Sequence, residues 1–304
     1  MRIEDNQREM RRRLNNPWKY QVLSDSQIEQ IREAALNHIE RHGFCVQHEE
    51  LLARLHDRGA RIDEAQGRVR MPRVLCVELM AQVPSRYTTS NILGERWEIG
   101  GPGQYGSAIV TDPWIIDYKT REPRHPCLED IRRHTIIAEQ IEPVVSISRM
   151  DYPVTDVSGP TSSLRALETH LLNHTRHYLV MAANLESFDQ WVCLADILAR
   201  GGDASRLITS AIALGSPLIL NKLNGDLLVR SVEKGFAIVP TVCPMAGSTG
   251  PYSLAGTLLQ SHIEVLMIAL LAQVLRPGHP MEYFSGLSAT DLQNGADLYY
   301  TMDK

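Results

Sequence analysis

The sequence predicts an α/β fold built around a parallel sheet, and three observations lead there. Beyond Leu128, short apolar runs alternate with helical segments of ten or more residues; most runs are followed by polar or glycine-bearing stretches; and 304 residues suffice for one large domain or two ordinary ones.

The region before the alternation is expected to be a small α+β unit. Residues 1–23 read as a solvated arm, because Arg2, Arg8, Arg11, Arg12 and Arg13 are interleaved with Glu4, Asp5 and Glu9, acids that a transit peptide lacks. Residues 24–95 form the helical α+β region. From a cap at Ser24 or Asp25, Ile28, Ile31, Ala34, Ala35, His38 and Ile39 recur at helical spacing until Gly43 stops the run. A second helix is expected over 48–58, a hairpin turns at Gln66 and Gly67 within ARIDEAQGRVRMP, and Pro72 opens a third helix.

Residues 96–127 follow as a glycine-rich strand segment. IGGPGQYGSAIV reads equally as a surface hairpin with glycine turns, and WIIDYKT is its strand candidate. No Lys-Ser or Lys-Thr follows these glycines, as a phosphate loop would require.

The alternation fills 128–304. Helix 128–141 precedes VVSISRM, helix 162–176 precedes YLVMAA, and helices 187–199 and 203–214 precede PLILN; helix 225–234 precedes AIVPTV, and helix 253–276 precedes MEYFSG. An open doubly wound sheet and an eight-stranded barrel both fit. The glycine-rich first turn of the open sheet is missing, whereas polar segments follow the strands at 149–152, 221–224, 243–250 and 283–288, as in a barrel that builds its site at strand carboxyl ends. Five strands, however, do not close a barrel.

Composition excludes several classes. With 43% apolar and 22% charged residues and a net charge of -5, nothing suggests affinity for nucleic acid or an anionic membrane. Five cysteines without a CxxC pair point to a reducing cytoplasm. SLAGTLLQSHIEVLMIALLAQVL is long enough to tempt a membrane reading, but Gln260, His262, Glu264 and Gln273 interrupt it, so it is expected to be a buried helix of a soluble fold.

Two groups of side chains invite chemistry. His170, His174 and His177 at i, i+4 and i+7 suggest zinc on one helical face, yet HExxH is absent and a solvated or interface face is the expectation; no metal is assigned. His262 and Glu264 are expected in hydrogen-bonded interior roles. CPMAGSTGPY holds more small residues than a turn needs.

Several segments then agree in order and spacing with a known family. LSDSQIEQIREAALNHIERHGFCVQHEELLARLHDRGARID with RVRMP, GGPGQYGSAIVTDPWIIDYKTREPRHPCLEDIRRHTIIAEQIEPV, PMAGSTGPYSLAGTLLQSHIEVLMIALLAQVLRPGHPMEYFS and ATDLQNGADLYYTMDK resemble the trimethylamine methyltransferase (MttB) family over nearly everything after residue 20.

The resemblance implies a (β/α)8 TIM-barrel type fold, incomplete at about five of eight βα units, behind the N-terminal α+β region. A fragment, a natural short paralogue and a half that another chain completes are open explanations. It implies transfer of a methyl group from a methylated amine or quaternary ammonium compound, trimethylamine- or glycine betaine-like, to the Co(I) of a corrinoid protein. Family members that carry pyrrolysine hold it in the part that would lie beyond Lys304. The chain itself would bind no cofactor: the acceptor cobalamin would sit on a cognate corrinoid protein. The cysteine usage makes a cytoplasmic setting the expectation, and the exposed sheet edges of an incomplete barrel a homo-oligomer. Catalytic residues are unassigned.

A diffuse cation suits aromatic faces and carboxylates. Tyr105, Asp151, Tyr152, Asn221, Tyr283 and Phe284 are the substrate-binding candidates, with core packing the alternative for Phe284 and an Asx-turn for Asp151. Met245, Gly247, Ser248, Thr249 and Gly250 are the corrinoid-facing candidates, their amides and hydroxyls expected at the barrel mouth, with tight turns at Gly247 and Gly250 as the alternative. A non-catalytic binding or scaffold module and a metal-dependent barrel hydrolase remain as other readings.

Overall fold

The computed structural model describes residues 21–101, 105–110, 113–149, 154–159 and 161–298. These form two compact units, a first of residues 86–210 and a second that joins 21–85 to 211–298.

The second unit holds the start of the described chain. Helix α1 (Asp25–Arg41) begins with a capping box: Ser24 Oγ accepts the Gln27 N–H, and Gln27 Oε1 accepts the Ser24 N–H at 2.8 Å. At Gly43, φ is 72° and a Cβ would lie 2.0 Å from the Val69 carbonyl oxygen. Only glycine therefore lets strand β1 (Phe44–Val46) leave the helix and pair with the hairpin of β2 (Arg61–Asp63) and β3 (Arg68–Arg70). Between them runs α2 (Glu49–Asp57), whose cap His48 accepts the Leu51 N–H on Nδ1; α3 (Arg73–Met80) follows Pro72.

In the first unit, β4 (Tyr87–Ser90) and β5 (Arg96–Ile99) form a hairpin, and β6 (Gly106–Ile109) starts the parallel sheet. A second hairpin, β7 (Ile115–Ile116) with β8 (Pro123–Arg124), leads to α4 (Leu128–Gln140). Then β9 (Val144–Ser148), α5 (Ser162–Leu171), β10 (His177–Val180), α6 (Leu185–Ala199) and β11 (Ile208–Ala213) alternate. Strand β6 pairs with β9, β9 with β10 and β10 with β11, all parallel. Val110, Ala138, Val144 and Ile147 make one core cluster, and Ile131, Val154 and Ala166 another.

The last three residues of β11 belong to the second unit. There β12 (Ile219–Leu220) pairs in parallel with β1, α7 (Lys222–Lys234) follows, and β13 (Ala237–Thr241) comes next to β11 in the sheet order. A short β14 (Met245–Ala246), the helix α8 (Leu254–Leu275) and β15 (Ser288–Ala289) complete the unit. Ile238 of β13 bridges in parallel to Met281. Helices α1, α2, α3 and α7 all pack on α8. Although α8 is long and apolar enough to cross a membrane, 78% of its apolar window is buried inside the protein.

The protein is thus a mixed α/β fold with a five-stranded sheet, order β13-β11-β10-β9-β6, compatible with part of a (β/α)8 barrel. Five strands were expected, but not these five. The stretch expected as helix 203–214 contains a 3-10 turn and then β11; Ile208 to Ile212 are all buried, so no polar face announces the strand. PLILN supplies only β12, in a different sheet. The glycine-rich segment supplies β6, whereas WIIDYKT forms a two-residue hairpin strand. Helix α5 ends at Leu171, not 176.

Candidate functional site

In the second unit, three connections lie beyond the carboxyl ends of strands: 214–218 after β11, 242–253 after β13, and 282–287 after the Met281 bridge. All three are tied to the first half of α8, where an otherwise apolar helix carries buried Gln260, Ser261 and Glu264. Burying such groups costs several kcal/mol unless hydrogen bonds satisfy them, on the order of 2–7 kcal/mol for a neutral one. Here they are satisfied by the loops.

Glu264 accepts three bonds: Oε1 from the Leu218 N–H at 3.1 Å and Gln260 Nε2 at 3.0 Å, and Oε2 from the Ser216 hydroxyl at 2.9 Å. Burial pushes its carboxyl above the ordinary range, while these donors pull the other way. Because every partner donates, the arrangement fits a carboxylate. Gln260 Nε2 also donates to the Thr249 carbonyl at 2.9 Å, and Thr249 Oγ1 accepts the Met245 N–H at 2.9 Å. Ser261 donates to the Gly286 carbonyl at 3.0 Å and so accepts from the Ser285 hydroxyl at 2.7 Å. His262 Nδ1 lies 2.9 Å from the Tyr283 hydroxyl.

The loops after β13 and Met281 also meet each other. Met245 pairs with Ser288 and Ala246 with Ala289, parallel, and the Thr290 hydroxyl donates to Ser248 Oγ at 3.1 Å. Tyr283 and Phe284 thus share a loop cluster with residues 245–250, exposed at 61% and 50%. Tyr252 and Leu292 join them: a Cβ on Gly247, whose φ is 87°, would come within 3.6 Å of both side chains. Exposed at 79% and 61%, both belong to an apolar rim that motif reading missed; only their exposure beside buried polar anchors reveals them.

The expectation that the amides of CPMAGSTGPY face outward is corrected. The Gly247 N–H donates to the Gly250 carbonyl, those of Ser248 and Gly250 to the Met245 carbonyl, and that of Met245 to Thr249. The glycines let the segment close on itself. The Ser248 side chain remains exposed, and Met245 is half-buried.

The other predicted residues lie elsewhere. Asn221 caps α7, its Oδ1 accepting the Asn224 N–H at 2.8 Å. Tyr105 precedes β6 and is therefore at the amino end of the first unit's parallel sheet, opposite Arg149, which is buried just past the carboxyl end of β9. Its hydroxyl is buried without a partner among the described residues. Asp151 and Tyr152 lie outside the described residues.

The three histidines do not form a solvated helical face. His170, His174 and His177 are all buried, and His177 stands on β10. His170 Nε2 and His174 Nε2 are 3.1 Å apart, and His170 Nδ1 is 3.1 Å from the Thr135 hydroxyl. Burial pushes His174 down to about 3 and His177 to about 4, so both are neutral. His177 Nδ1 lies 3.0 Å from the Ser90 carbonyl, which can only accept; Nδ1 therefore carries the proton, and Nε2 accepts from Thr209 at 2.9 Å. Among the described residues no three His, Cys, Asp or Glu side chains are grouped to hold a metal.

A parallel α/β protein whose strand-end loops are gathered on one polar stretch of helix has the layout on which barrel enzymes build their sites. Its sequence matches the family described as Trimethylamine methyltransferase (MTTB) over residues 2–302, and the chain belongs to that family. It is 26% identical to the glycine betaine methyltransferase of Desulfitobacterium hafniense (strain Y51) over 91% of this chain and 58% of that protein. It is 24% identical to the trimethylamine methyltransferase MttB of Desulfitobacterium hafniense (strain DSM 10664 / DCB-2), over 90% and 55%. With the L-carnitine:corrinoid methyltransferase of Eubacterium limosum the figures are 22%, over 88% and 56%. The chain spans somewhat more than half the length of these curated relatives.

Proposed function

We propose that this chain takes part in moving a methyl group from a methylated amine or quaternary ammonium compound to a corrinoid carried by a partner protein. The family match over residues 2–302 carries this reading, since relatives across it are named as methyltransferases of trimethylamine, glycine betaine and L-carnitine. The bound corrinoid would supply a Co(I) nucleophile.

A quaternary ammonium has no proton to give, so no general acid is needed. The chain's task is to hold a diffuse cation in line and keep water away. Tyr283 and Phe284 offer aromatic faces, each contributing on the order of 0.5–2 kcal/mol. Buried Glu264 takes the counter-charge role expected of Asp151: it receives three donors, and among the described residues no cation is paired with it. The exposed rim of Tyr252 and Leu292 beside Ser248 fits a docking face for the corrinoid protein, the loop glycines keeping it low.

Five free cysteines accord with a cytoplasmic setting, and β6, at one end of the sheet order, is an edge on which a homo-oligomer could form. The test is a spectroscopic assay of Co(I) corrinoid consumption with a panel of methylated amines. Substrate-dependent loss of the Co(I) spectrum is expected; binding of the corrinoid protein without turnover would favour a non-catalytic module.

A further inference from the structure

The β2–β3 hairpin places Arg61 and Arg70 as direct cross-strand partners. Two steps along, the partners on the same face are Asp63 and Arg68, an opposite-charge pair. Like charges directly opposed destabilise a hairpin, and neither Arg61 nor Arg70 has a carboxylate bonded to it among the described residues. Arg41, at the end of α1, is likewise without an acidic partner there. Among the described residues these three arginines line one cleft of about 470 Å³ with Glu40 and Pro72. Glu40 is fixed in the wall, its Oε1 accepting the Arg73 N–H at 3.1 Å.

Among the described lining residues three cations and one anion leave an excess of two positive charges, in a protein whose net charge is -5. The volume is that of a small-molecule site. A helix-end arginine has an ordinary explanation in the helix dipole, but an opposed arginine pair opening on a cavity has no compensating carboxylate among the described residues.

We propose that this cleft binds a small dianionic ligand of the phosphate-ester or pyrophosphate class. Arg41, Arg61 and Arg70 hold its oxygens, and Glu40 accepts a hydroxyl or amino donor of the same ligand. Planar guanidiniums suit such oxyanions because each can give two parallel N–H bonds. This is a binding site apart from methyl transfer and does not depend on it.

The test is thermal unfolding of the full chain with inorganic pyrophosphate, sodium chloride matched in ionic strength, and a short polyglutamate peptide. Pyrophosphate should raise the melting temperature saturably, well beyond matched chloride. Arg61→Gln and Arg70→Gln should each weaken apparent affinity about tenfold or more, one lost charge-assisted bond being worth roughly 1.5–3 kcal/mol. Without anion, each variant should melt higher than the parent, because the opposed charges are relieved. A pyrophosphate effect no larger than that of chloride, or unchanged affinity in both variants, would overturn the proposal. Saturation by polyglutamate alone would overturn it in favour of an acidic protein surface.

Discussion

Glu264 Oε1 accepts the backbone N–H of Leu218 at 3.1 Å, joining the middle of the most apolar helix to a leucine with φ of 59°. A non-glycine residue in the left-handed region costs roughly 1–2 kcal/mol, and the carboxylate holds it there. Glu264→Gln keeps one acceptor oxygen and should cost about 1 kcal/mol. Glu264→Ala leaves the Leu218 N–H and Ser216 hydroxyl unpaired beside a cavity and should cost about 3 kcal/mol or more. Urea midpoints of the two variants check the order; equal loss would remove the clamp.

Gly43 is a backbone constraint of another kind. Gly43→Ala sets a methyl 2.0 Å from the Val69 carbonyl at a φ of 72°, so β1 must part from β3. A loss of about 3 kcal/mol or more is expected, read from the same urea midpoints. Gly59→Ala, also at positive φ but with open space around it, is the control that should lose about 1–2 kcal/mol.

Acid should weaken the first unit through its buried histidines. His177 is held down to about 4 by burial, against 6.5 in the unfolded chain. Between those values the unfolded state binds a proton that the folded state refuses, so stability falls as pH drops from 6.5 towards 4. That is roughly 3 kcal/mol from this residue alone, and His174, held to about 3, continues the loss below it. Glu264 works in the other sense, since its raised carboxyl loses stability as pH rises above the ordinary carboxylate range. A melting temperature that stays level from pH 7 to 4.5 would contradict the histidine contribution.

The aromatic and apolar rims should separate in kinetics. Tyr283→Ala and Phe284→Ala should each lower kcat/KM for the methylated amine about 2- to 30-fold, the range of one cation–π contact. Tyr252→Ala and Leu292→Ala should raise the concentration of corrinoid protein needed for half-maximal rate, leaving the amine KM unchanged. Titrations against both substrates distinguish the two groups, and identical profiles would refute the division.

Much of the fold was legible because its local signals are strong. Ser24 and Gln27 form the capping box that their spacing announces, and Gln66–Gly67 turn the hairpin between β2 and β3. Strand β11 was not legible: Ile208 to Ile212 are buried on both faces, and Thr209 and Ser210, adjacent and so on opposite faces, leave no alternation to tell strand from helix. Tyr105 was drawn to the site by its glycine-rich surroundings; it immediately precedes β6, which leaves it at the sheet's amino end.

The sequence by itself determined the family, the parallel α/β class and the interior role of Glu264, since repeated apolar blocks and a carboxylate in an apolar helix constrain the chain locally. Only the tertiary structure decided which loops that carboxylate holds, and that Tyr252 and Leu292 flank Gly247. Hydrogen bonds between residues 46 or more positions apart depend on how the strands are ordered, and neighbouring residue types do not encode that order.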